Sequence, residues 1–306
     1  MLESVIKQKY HVILVVLGFI LVMASFFKVE DISKFQVSPN PNPLYIPLTI
    51  GVLFVFASIL SFLLTEDSIG WGWLSPATIK KTEEGYSVAL GQATLNVLYG
   101  RLENYSSDKD TSVIVLPANE YFDDECINDK DSSLGAYMHA KFSTQIEAVK
   151  NLVSTKVQSM PSKSVEKESG CFQQSYGVGK CIYLDRPLSS EHKIILTAVT
   201  SQRAGQGLKS EISYIFQAVN EIYKLMVDKR LRRVYSPLMG AGHGCLRTEV
   251  ALFTLVLAWS EILCKPLGPH IEVNIIIFRN DKSDKQRPSR RVVKRILKIA
   301  TGMFKN

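Results

Sequence analysis

The chain has few cysteines, and their positions exclude the usual cysteine-built sites. Five occur among 306 residues, an odd number, and no two have the short spacing of a zinc knuckle or a redox motif. Scattered thiols of this kind fit a reducing compartment, where disulfides do not persist. We therefore expect structural thiols rather than metal ligands, except at Cys245, which lies beside a glycine-rich run, and a folded domain on the cytosolic side.

Charge is also missing from two stretches near the N-terminus. No Asp, Glu, Lys or Arg lies between Lys9 and Lys28, and none lies in the run 44–64. Apolar runs of this length can cross a bilayer as helices. We therefore predict a transmembrane hairpin within residues 1–75, with spans at about 10–27 and 44–64. Without carboxylates, lysines or arginines inside the runs, a proton relay or an ion-selective transporter is not supported.

The first run also resembles a cleaved signal peptide, because Lys7 and Lys9 precede it. The second run follows closely, which favours the hairpin. The connection 28–43 ends in Pro-Asn-Pro-Asn-Pro and cannot be helical throughout. The numbers of lysines before, within and after the hairpin do not predict which of its sides faces the cytoplasm. Trp71 and Trp73, after the second run, either anchor at the membrane interface or pack on the domain.

The overall charge is basic. Charged residues make up 21% of the chain, the formal net charge is +7, the isoelectric point is near 9.0 and the mean hydropathy is +0.07. Such a balance suits an anionic partner, whether a nucleotide, a nucleic acid or an anionic lipid surface, or else a solvated basic face. No nucleic-acid recognition motif is present, so we expect no nucleic-acid partner.

From about residue 80 onward, strand-like and helix-like patterns alternate. We predict strands at 86–90, 94–98, 112–116, 180–184, 194–199, 233–236 and 272–278, and helices at 136–153, 212–227 and 247–264, with a polar interlude at 159–179. This alternation favours an α/β fold with a largely buried central sheet in a domain spanning 80–306.

The glycine-rich run from Gly240 to Gly244 is the strongest candidate for a binding site. It follows a predicted strand and opens onto an apolar helix that begins near Leu246. Three glycines among five residues allow close backbone approach and can point successive N–H groups into one concavity. A helix N-terminus directly behind the run makes a suitable seat for phosphate.

Two further segments are predicted to lie near this run. Residues 117–120 (Pro-Ala-Asn-Glu) follow the buried strand 112–116, and residues 132–136 (Ser-Ser-Leu-Gly-Ala) lead into a predicted helix. Each has an ordinary alternative, a turn for the first and an N-capping serine for the second. Because open α/β sheets bind ligands at the carboxyl ends of their strands, the three segments together predict a diphosphate site.

Four segments, taken in order along the chain, resemble the signature of a macro domain. They are 99–102 (Tyr-Gly-Arg-Leu), 113–119, 133–136 and 236–244. The resemblance implies a three-layer α/β/α fold with a mixed sheet and a groove for ADP-ribose. It places Asn119 at the distal ribose, with 240–245 and 133–136 around the diphosphate. The expected ligand-binding residues are Leu102, Pro117, Ala118, Asn119, Glu120, Ser132, Ser133, Leu134, Gly135, Ala136, Leu238, Gly240, Ala241, Gly242, His243, Gly244 and Cys245.

The chain departs from the macro-domain pattern in two places. Arg101 stands where an Asp often bonds the adenine amine, which puts adenine recognition in question. The insertion 121–131 is rich in Asp and Glu and replaces a short glycine run. It either shapes a pocket for an ADP-ribose derivative with an extra, cationic group, or is an exposed acidic loop.

Two spans followed by a macro-type domain resemble the membrane effectors of Thoeris-type bacterial antiphage defence. The resemblance implies a multi-pass protein of the bacterial inner membrane with its macro-like domain in the cytoplasm. A TIR-domain partner would make an ADP-ribose-derived signal nucleotide, and the effector would bind it, form homo-oligomers and disrupt the lipid bilayer.

The C-terminal segment 287–305 alternates basic and apolar residues with helical spacing. It either lies on anionic lipid or forms the last packed helix of the domain, with a solvated basic side.

Three functions follow from these features. The first is a non-enzymatic sensor with no catalytic residues and no cofactor. The second is a membrane-tethered ADP-ribosyl or ADP-ribose-derivative hydrolase, for which Asn119, Asp123, Asp124 and His243 are the candidate catalytic residues. The third is a structural membrane protein whose glycine run is only a turn.

Overall fold

The computed structural model describes residues 27–31, 36–39, 78–106, 111–264, 270–278 and 288–304. The chain divides into two compact units, Met1–Trp73 and Leu74–Asn306. In the first unit, strands β1 (Phe27–Asp31) and β2 (Gln36–Pro39) form an antiparallel hairpin within the predicted connection between the spans. Both predicted spans lie outside the described residues, apart from Phe27, which begins β1. Among the described residues, no helix combines the length and apolar character needed to cross a bilayer.

The second unit alternates strands and helices. Its strands are β3 (Ile79–Lys81), β4 (Gly85–Leu90), β5 (Ala93–Gly100), β6 (Ser112–Asn119), β7 (Lys163–Glu168), β8 (Cys171–Ser175), β9 (Cys181–Asp185), β10 (Lys193–Arg203), β11 (Gln206–Lys209), β12 (Arg233–Pro237) and β13 (Glu272–Phe278). Its α-helices are α1 (Asp124–Asn128), α2 (Ser133–Phe142), α3 (Ile146–Gln158), α4 (Ile212–Asp228), α5 (Thr248–Leu263) and α6 (Arg290–Gly302).

The central sheet is mixed. In the described residues it has nine strands in the order β11-β10-β6-β12-β13-β5-β4-β3, with β9 pairing on β10. The five strands from β10 to β5 are mutually parallel, whereas β11, β9, β4 and β3 join antiparallel. The parallel strands are apolar runs buried on both faces, as β6 and β13 show. The expected mixed α/β sheet is therefore present.

Helices cover both faces of the sheet and create two cores. The first core includes Val219 of α4, Trp259 of α5 and Leu297 of α6. The second lies on the opposite face and includes Met138 of α2 and Val153 of α3. Each helix turns an apolar stripe toward the sheet, which gives three layers, α/β/α.

Two predicted segments differ from the structure. The helix predicted at 136–153 is two helices, α2 and α3, because the polar residues Ser143, Thr144 and Gln145 form a turn between them in which the Gln145 N–H donates to the Phe142 carbonyl at 2.8 Å. The polar interlude at 159–179 contains the antiparallel hairpin β7–β8. The C-terminal segment forms a packed helix, since α6 buries Val293 and Ala300, and this packing leaves its basic side facing outward.

Candidate functional site

A cavity of about 930 Å³ opens where several parallel strands end. The last residues of β6, a neighbouring part of β10 and the loop after β12 form its walls, and the N-termini of α2 and α5 face it. Parallel strands bring their carboxyl ends to one edge of a sheet, which is why segments far apart in sequence meet here.

The glycine loop (residues 240–245) follows β12 and is fixed by its own backbone. The Leu246 N–H donates to the Gly240 carbonyl at 3.1 Å, and the Cys245 N–H donates to the Gly242 carbonyl at 3.0 Å. Gly240 has φ +82° and packs closely against Ser210, a conformation that favours glycine. Cys245 has φ +59°, which is strained for a residue with a side chain.

Backbone N–H groups of the glycine loop remain available to a ligand. Within the described part of the chain, the N–H groups of Ala241, Gly242, His243 and Gly244 have no protein acceptor, and all four residues line the cavity. Gly242 is exposed, with open space where a side chain would be. Unpaired, successive amides next to the N-terminus of α5 are suited to hold an anion.

Asn119 ends strand β6 at the cavity and is 1% exposed. Its side-chain amide donates to Asp123 Oδ1 at 3.0 Å, and its Oδ1 accepts the Tyr121 N–H at 3.1 Å. The amide is therefore fixed by the chain just after the strand. Its expected contact with a distal ribose stays a prediction.

The acidic insertion is a folded wall of the cavity. It contains the short helix α1, and its Glu125, Cys126, Asp129 and Asp131 line the cavity. Lys167 of β7, 5% exposed, binds Asp123 at 3.0 Å and Glu125 at 2.8 Å, which attaches the insertion to the β7–β8 hairpin. The insertion therefore lines the cavity while Asp124, Glu125 and Asp131 are exposed, and a pocket for a cationic ADP-ribose derivative stays a prediction.

Charges around the cavity are mostly negative. Glu125, Asp129, Asp131 and Glu249 contribute carboxylates, whereas Arg247 and His243 are the basic residues among the described lining. His243 Nε2 lies 3.3 Å from Asp129 Oδ2, across the opening between the glycine loop and the insertion. A ligand that fits would place its anionic part at the backbone amides and tolerate, or use, carboxylates elsewhere.

Burial raises the pKa of the Cys126 thiol to about 12, and the nearby Asp123 carboxylate adds to the shift. Cys126 therefore stays a neutral thiol at physiological pH and is a poor nucleophile, although it lines the cavity. Within the described residues, no group of acidic, histidine and cysteine side chains could hold a metal ion.

Most of the predicted site residues meet at this cavity. Those that line it are Pro117, Ala118, Asn119, Ser132, Ser133, Leu238, Gly240, Ala241, Gly242, His243, Gly244 and Cys245. The Ser132 hydroxyl accepts the Gly135 N–H at 2.9 Å, so this serine is the N-cap of α2 as well as part of the wall.

Five predicted residues are not part of the lining. Leu102 and Leu134 are buried in the second core, and Glu120 is buried against Arg203 and Ser175. Gly135 and Ala136 lie within the first turn of α2, where Gly135 packs against the backbone of Asp129. Core packing accounts for Leu102 and Leu134, an internal ion pair for Glu120, and the N-terminal turn of a helix for Gly135 and Ala136.

Other lining residues were not predicted from the sequence. They are Glu125, Cys126, Asp129, Asp131, Val199, Thr200, Leu208, Leu246, Arg247, Thr248 and Glu249. Residues 246–249 directly follow the glycine run, so their place at the helix start could have been inferred. Val199 and Thr200 come from β10, and only the sheet order brings them to the cavity.

The chain is distantly similar to solved structures of macrodomains. No protein-family model matches the chain, and no curated protein matches it. Among solved structures, the Oceanobacillus iheyensis macrodomain with ADP is 14% identical with a TM-score of 0.49, covering 73% of this chain and 97% of its own. The macrodomain of Thermus aquaticus DarG is 16% identical (TM-score 0.39; 60% and 97% covered). The Trypanosoma brucei macrodomain in complex with ADP-ribose is 12% identical (TM-score 0.44; 66% and 68% covered).

Proposed function

We propose that the chain is a membrane-anchored sensor whose cavity binds an ADP-ribose-derived nucleotide. The observation that carries the proposal is the set of unpaired N–H groups at residues 241–244 in a cavity of about 930 Å³. Four successive donors next to the N-terminus of α5 suit a diphosphate, which presents several acceptor oxygens. The volume is in the range of small-molecule sites.

The rest of the lining supports a nucleotide ligand. Apolar side chains at Val199, Leu208 and Leu238 offer contact area for a base or a ribose, while Asn119 and Thr200 are polar groups at the strand ends. The carboxylates of Glu125, Asp129 and Asp131 favour an ADP-ribose derivative with an additional cationic group over unmodified ADP-ribose.

The effector role rests on the two apolar runs and on the resemblance to Thoeris effectors. In this proposal the runs 10–27 and 44–64 cross the bacterial inner membrane, and the domain from residue 80 lies in the cytoplasm. A TIR-domain partner supplies the nucleotide, and its binding causes homo-oligomerisation that disrupts the bilayer. This requires the nucleotide to bind the assembled state more tightly than the resting state.

One observation favours the hydrolase alternative. The imidazole of His243 and the carboxylate of Asp129, 3.3 Å apart at the cavity, form a pair that could take a proton from a water. Turnover of ADP-ribose derivatives that is lost in both His243→Ala and Asp129→Asn would support a hydrolase. Binding without product release supports the sensor.

The binding test compares two glycine substitutions. Gly242→Glu places a carboxylate at the unpaired amides, so we expect calorimetric titration of the full-length protein with ADP-ribose to show at least about a hundredfold weaker binding. Gly207→Glu on β11 is the matched control, because both glycines have open space at the position of a side chain. Equal affinity of Gly242→Glu and wild type would refute the location of the diphosphate.

A further inference from the structure

We propose that the exposed side of helix α6 binds the surface of an anionic lipid bilayer. This surface lies apart from the nucleotide cavity, and the inference rests on the membrane anchoring in the proposed function. It does not depend on the identity of the nucleotide. The basic face is defined as Arg290, Arg291, Lys294, Arg295 and Lys298. Arg290 lies over the Tyr99 ring, and Arg291 and Lys298 have partners of their own, so the proposal rests on Lys294 and Arg295.

The basic face follows from the helical repeat. Positions 290, 291, 294, 295 and 298 fall on one side of a helix with 3.6 residues per turn. Val293, Leu297 and Ala300 fall on the other side and are fully buried in the first core. Lys294 and Arg295 are exposed, and the sequence of α6 contains no Asp or Glu. Lys294 and Arg295 are therefore outward-facing cations on a helix that carries no carboxylate.

The edge strand β3 adds positive charge next to the basic face. Helix α6 packs against β4 and β3, and β3 is the edge strand. Ile79 of β3 packs on the core that α6 covers, and Lys81 shares the face of Ile79 because side chains alternate along a strand. The acids nearest in sequence are Glu83 and Glu84 in the β3–β4 turn, and Glu84 accepts a hydrogen bond from the Tyr105 hydroxyl at 3.2 Å.

Exposed apolar side chains beside the cations favour lipid over nucleic acid. Ile299 is 37% exposed and Met303 is 51% exposed, near the C-terminal end of α6. A helix lying on a membrane places basic groups at lipid phosphates and apolar groups at the acyl boundary. Binding to a polynucleotide backbone needs the cations and leaves such apolar groups in water.

Lysine acetylation footprinting tests the surface on the full-length protein. The protein is reconstituted in nanodiscs of phosphatidylcholine alone and of phosphatidylcholine and phosphatidylglycerol in equal parts. We expect acetylation of Lys294 and Lys81 to slow about fivefold or more in the anionic discs. Lys156 of α3 and Lys163 of β7, exposed and on other elements, are internal controls and should react equally in both discs. In 1 M NaCl, where the Debye length is about 3 Å, the protection should disappear.

A matched pair of variants identifies the side chains responsible. Arg295→Gln removes one cation of the basic face, and a basic side chain near an anionic surface contributes about 1 kcal/mol, so the bound-to-free ratio read at Lys294 should fall roughly fivefold. Arg232→Gln removes an exposed arginine just before β12 and should leave the ratio unchanged. Equal protection in Arg295→Gln and wild type would overturn the assignment.

The remaining outcomes distinguish lipid binding by the basic face from membrane anchoring by the apolar runs and from binding of nucleic acid. Equal acetylation of Lys294 in neutral and anionic discs overturns the proposal. So does protection of Lys294 by duplex DNA that anionic discs do not reproduce, which would assign the face to nucleic acid. If the protein elutes free of the discs, the anchoring fails. Anionic vesicles added to the free protein then test the basic face separately, with protection supporting it and no protection overturning it.

Discussion

At Gly240 the backbone conformation and the close neighbours both oppose a side chain, whereas at Gly242 neither does. A Cβ at position 240 would lie 2.8 Å from Ser210 Oγ and 3.0 Å from Leu246 Cδ1, and φ is +82°. We expect Gly240→Ala to lower the free energy of unfolding by about 1–3 kcal/mol. Gly242→Ala should stay within about 0.5 kcal/mol of wild type. Urea unfolding measures both, and equal stabilities would contradict the loop geometry.

The cysteines differ in reactivity because they differ in burial. A thiol with a pKa of about 12 ionises only in strong alkali, so Cys126 should resist iodoacetamide between pH 7 and about pH 10. The exposed thiols of Cys171 and Cys245 should be alkylated under the same conditions. Peptide mass spectrometry at intervals gives the three rates. Alkylation of Cys126 as fast as that of Cys171 would show that the wall of the cavity opens.

At the scale of single residues, the sequence predicted the site residues that lie at strand ends and helix starts. It missed side-chain partners that are distant in sequence. The glycine run and the end of β6 could be recognised because a strand end and a helix start are local features. Glu120, expected at the ligand, is held by Arg203 of β10 and Ser175 of β8, which only the tertiary fold brings to it. Which of Asn119 and Glu120 faces the cavity could not be read from composition.

The β7–β8 hairpin holds the acidic insertion through Lys167, which binds Asp123 and Glu125, and through Gln173, which donates to Asp123 at 3.5 Å. Burial by itself disfavours the Lys167 ammonium, but hydrogen bonds and charges of Glu125 and Asp123 outweigh it and raise the pKa of Lys167 above its usual 10.5. Removing the cation leaves Asp123, whose side chain is 12% exposed, without its cationic partner, while the side-chain amides of Asn119 and Gln173 still donate to it. We expect Lys167→Met to lower the free energy of unfolding by about 2–4 kcal/mol, measured by urea denaturation.

A second substitution distinguishes the ion pair from simple packing. In Lys167→Met/Asp123→Asn the uncompensated carboxylate is gone, so the double variant should be more stable than Lys167→Met alone.

The ion pair also makes stability depend on pH. Because the pKa of Lys167 is raised in the folded state, the stabilisation by Lys167 is complete below its pKa in the unfolded chain and is lost as pH rises through its pKa in the folded protein. Stability of wild type should therefore fall above about pH 10.5 more steeply than that of the double variant.

Helices and strands with one clear hydrophobic period could be predicted from the sequence, and those without such a period could not. Strand 272–278 and helix 212–227 match β13 and α4 to within a residue, since each carries a clear apolar pattern. The β7–β8 hairpin was missed because its Lys163–Glu168 strand is mostly charged and largely exposed. Its stability comes from pairing with β8 and from the Lys167 contacts, which are not local in sequence.

The unit Leu74–Asn306 contains both cores and the whole cavity. We expect a fragment of these residues to unfold in one cooperative transition and to bind ADP-ribose derivatives as tightly as the full-length protein. It should lose its membrane anchor and its cellular toxicity, since both are assigned to the apolar runs, and keep only the salt-sensitive binding of the basic face to anionic lipid. Circular dichroism melting, calorimetry and fractionation check the three properties. Toxicity of the fragment would contradict the membrane mechanism.

For the whole molecule, the class of fold was accessible from sequence but the order of strands was not. Alternating periods indicate an α/β sheet, yet they do not say that β6 lies between β10 and β12. That placement decides the cavity, because it sets the end of β6 beside Thr200 of β10. The span predictions concern residues outside the described part of the chain and stay predictions.

The sheet ends on one side with β3, a three-residue strand containing Lys80 and Lys81, and on the other with two short strands that both pair with β10, the four-residue β11 and the five-residue β9. Edge strands this short offer a neighbouring molecule few main-chain hydrogen bonds. The two lysines of β3 also repel the same edge of an identical molecule. Polymerisation by strand addition is thereby discouraged. Clustering of several copies would have to proceed through side-chain surfaces, where single substitutions can tune it without unravelling the fold.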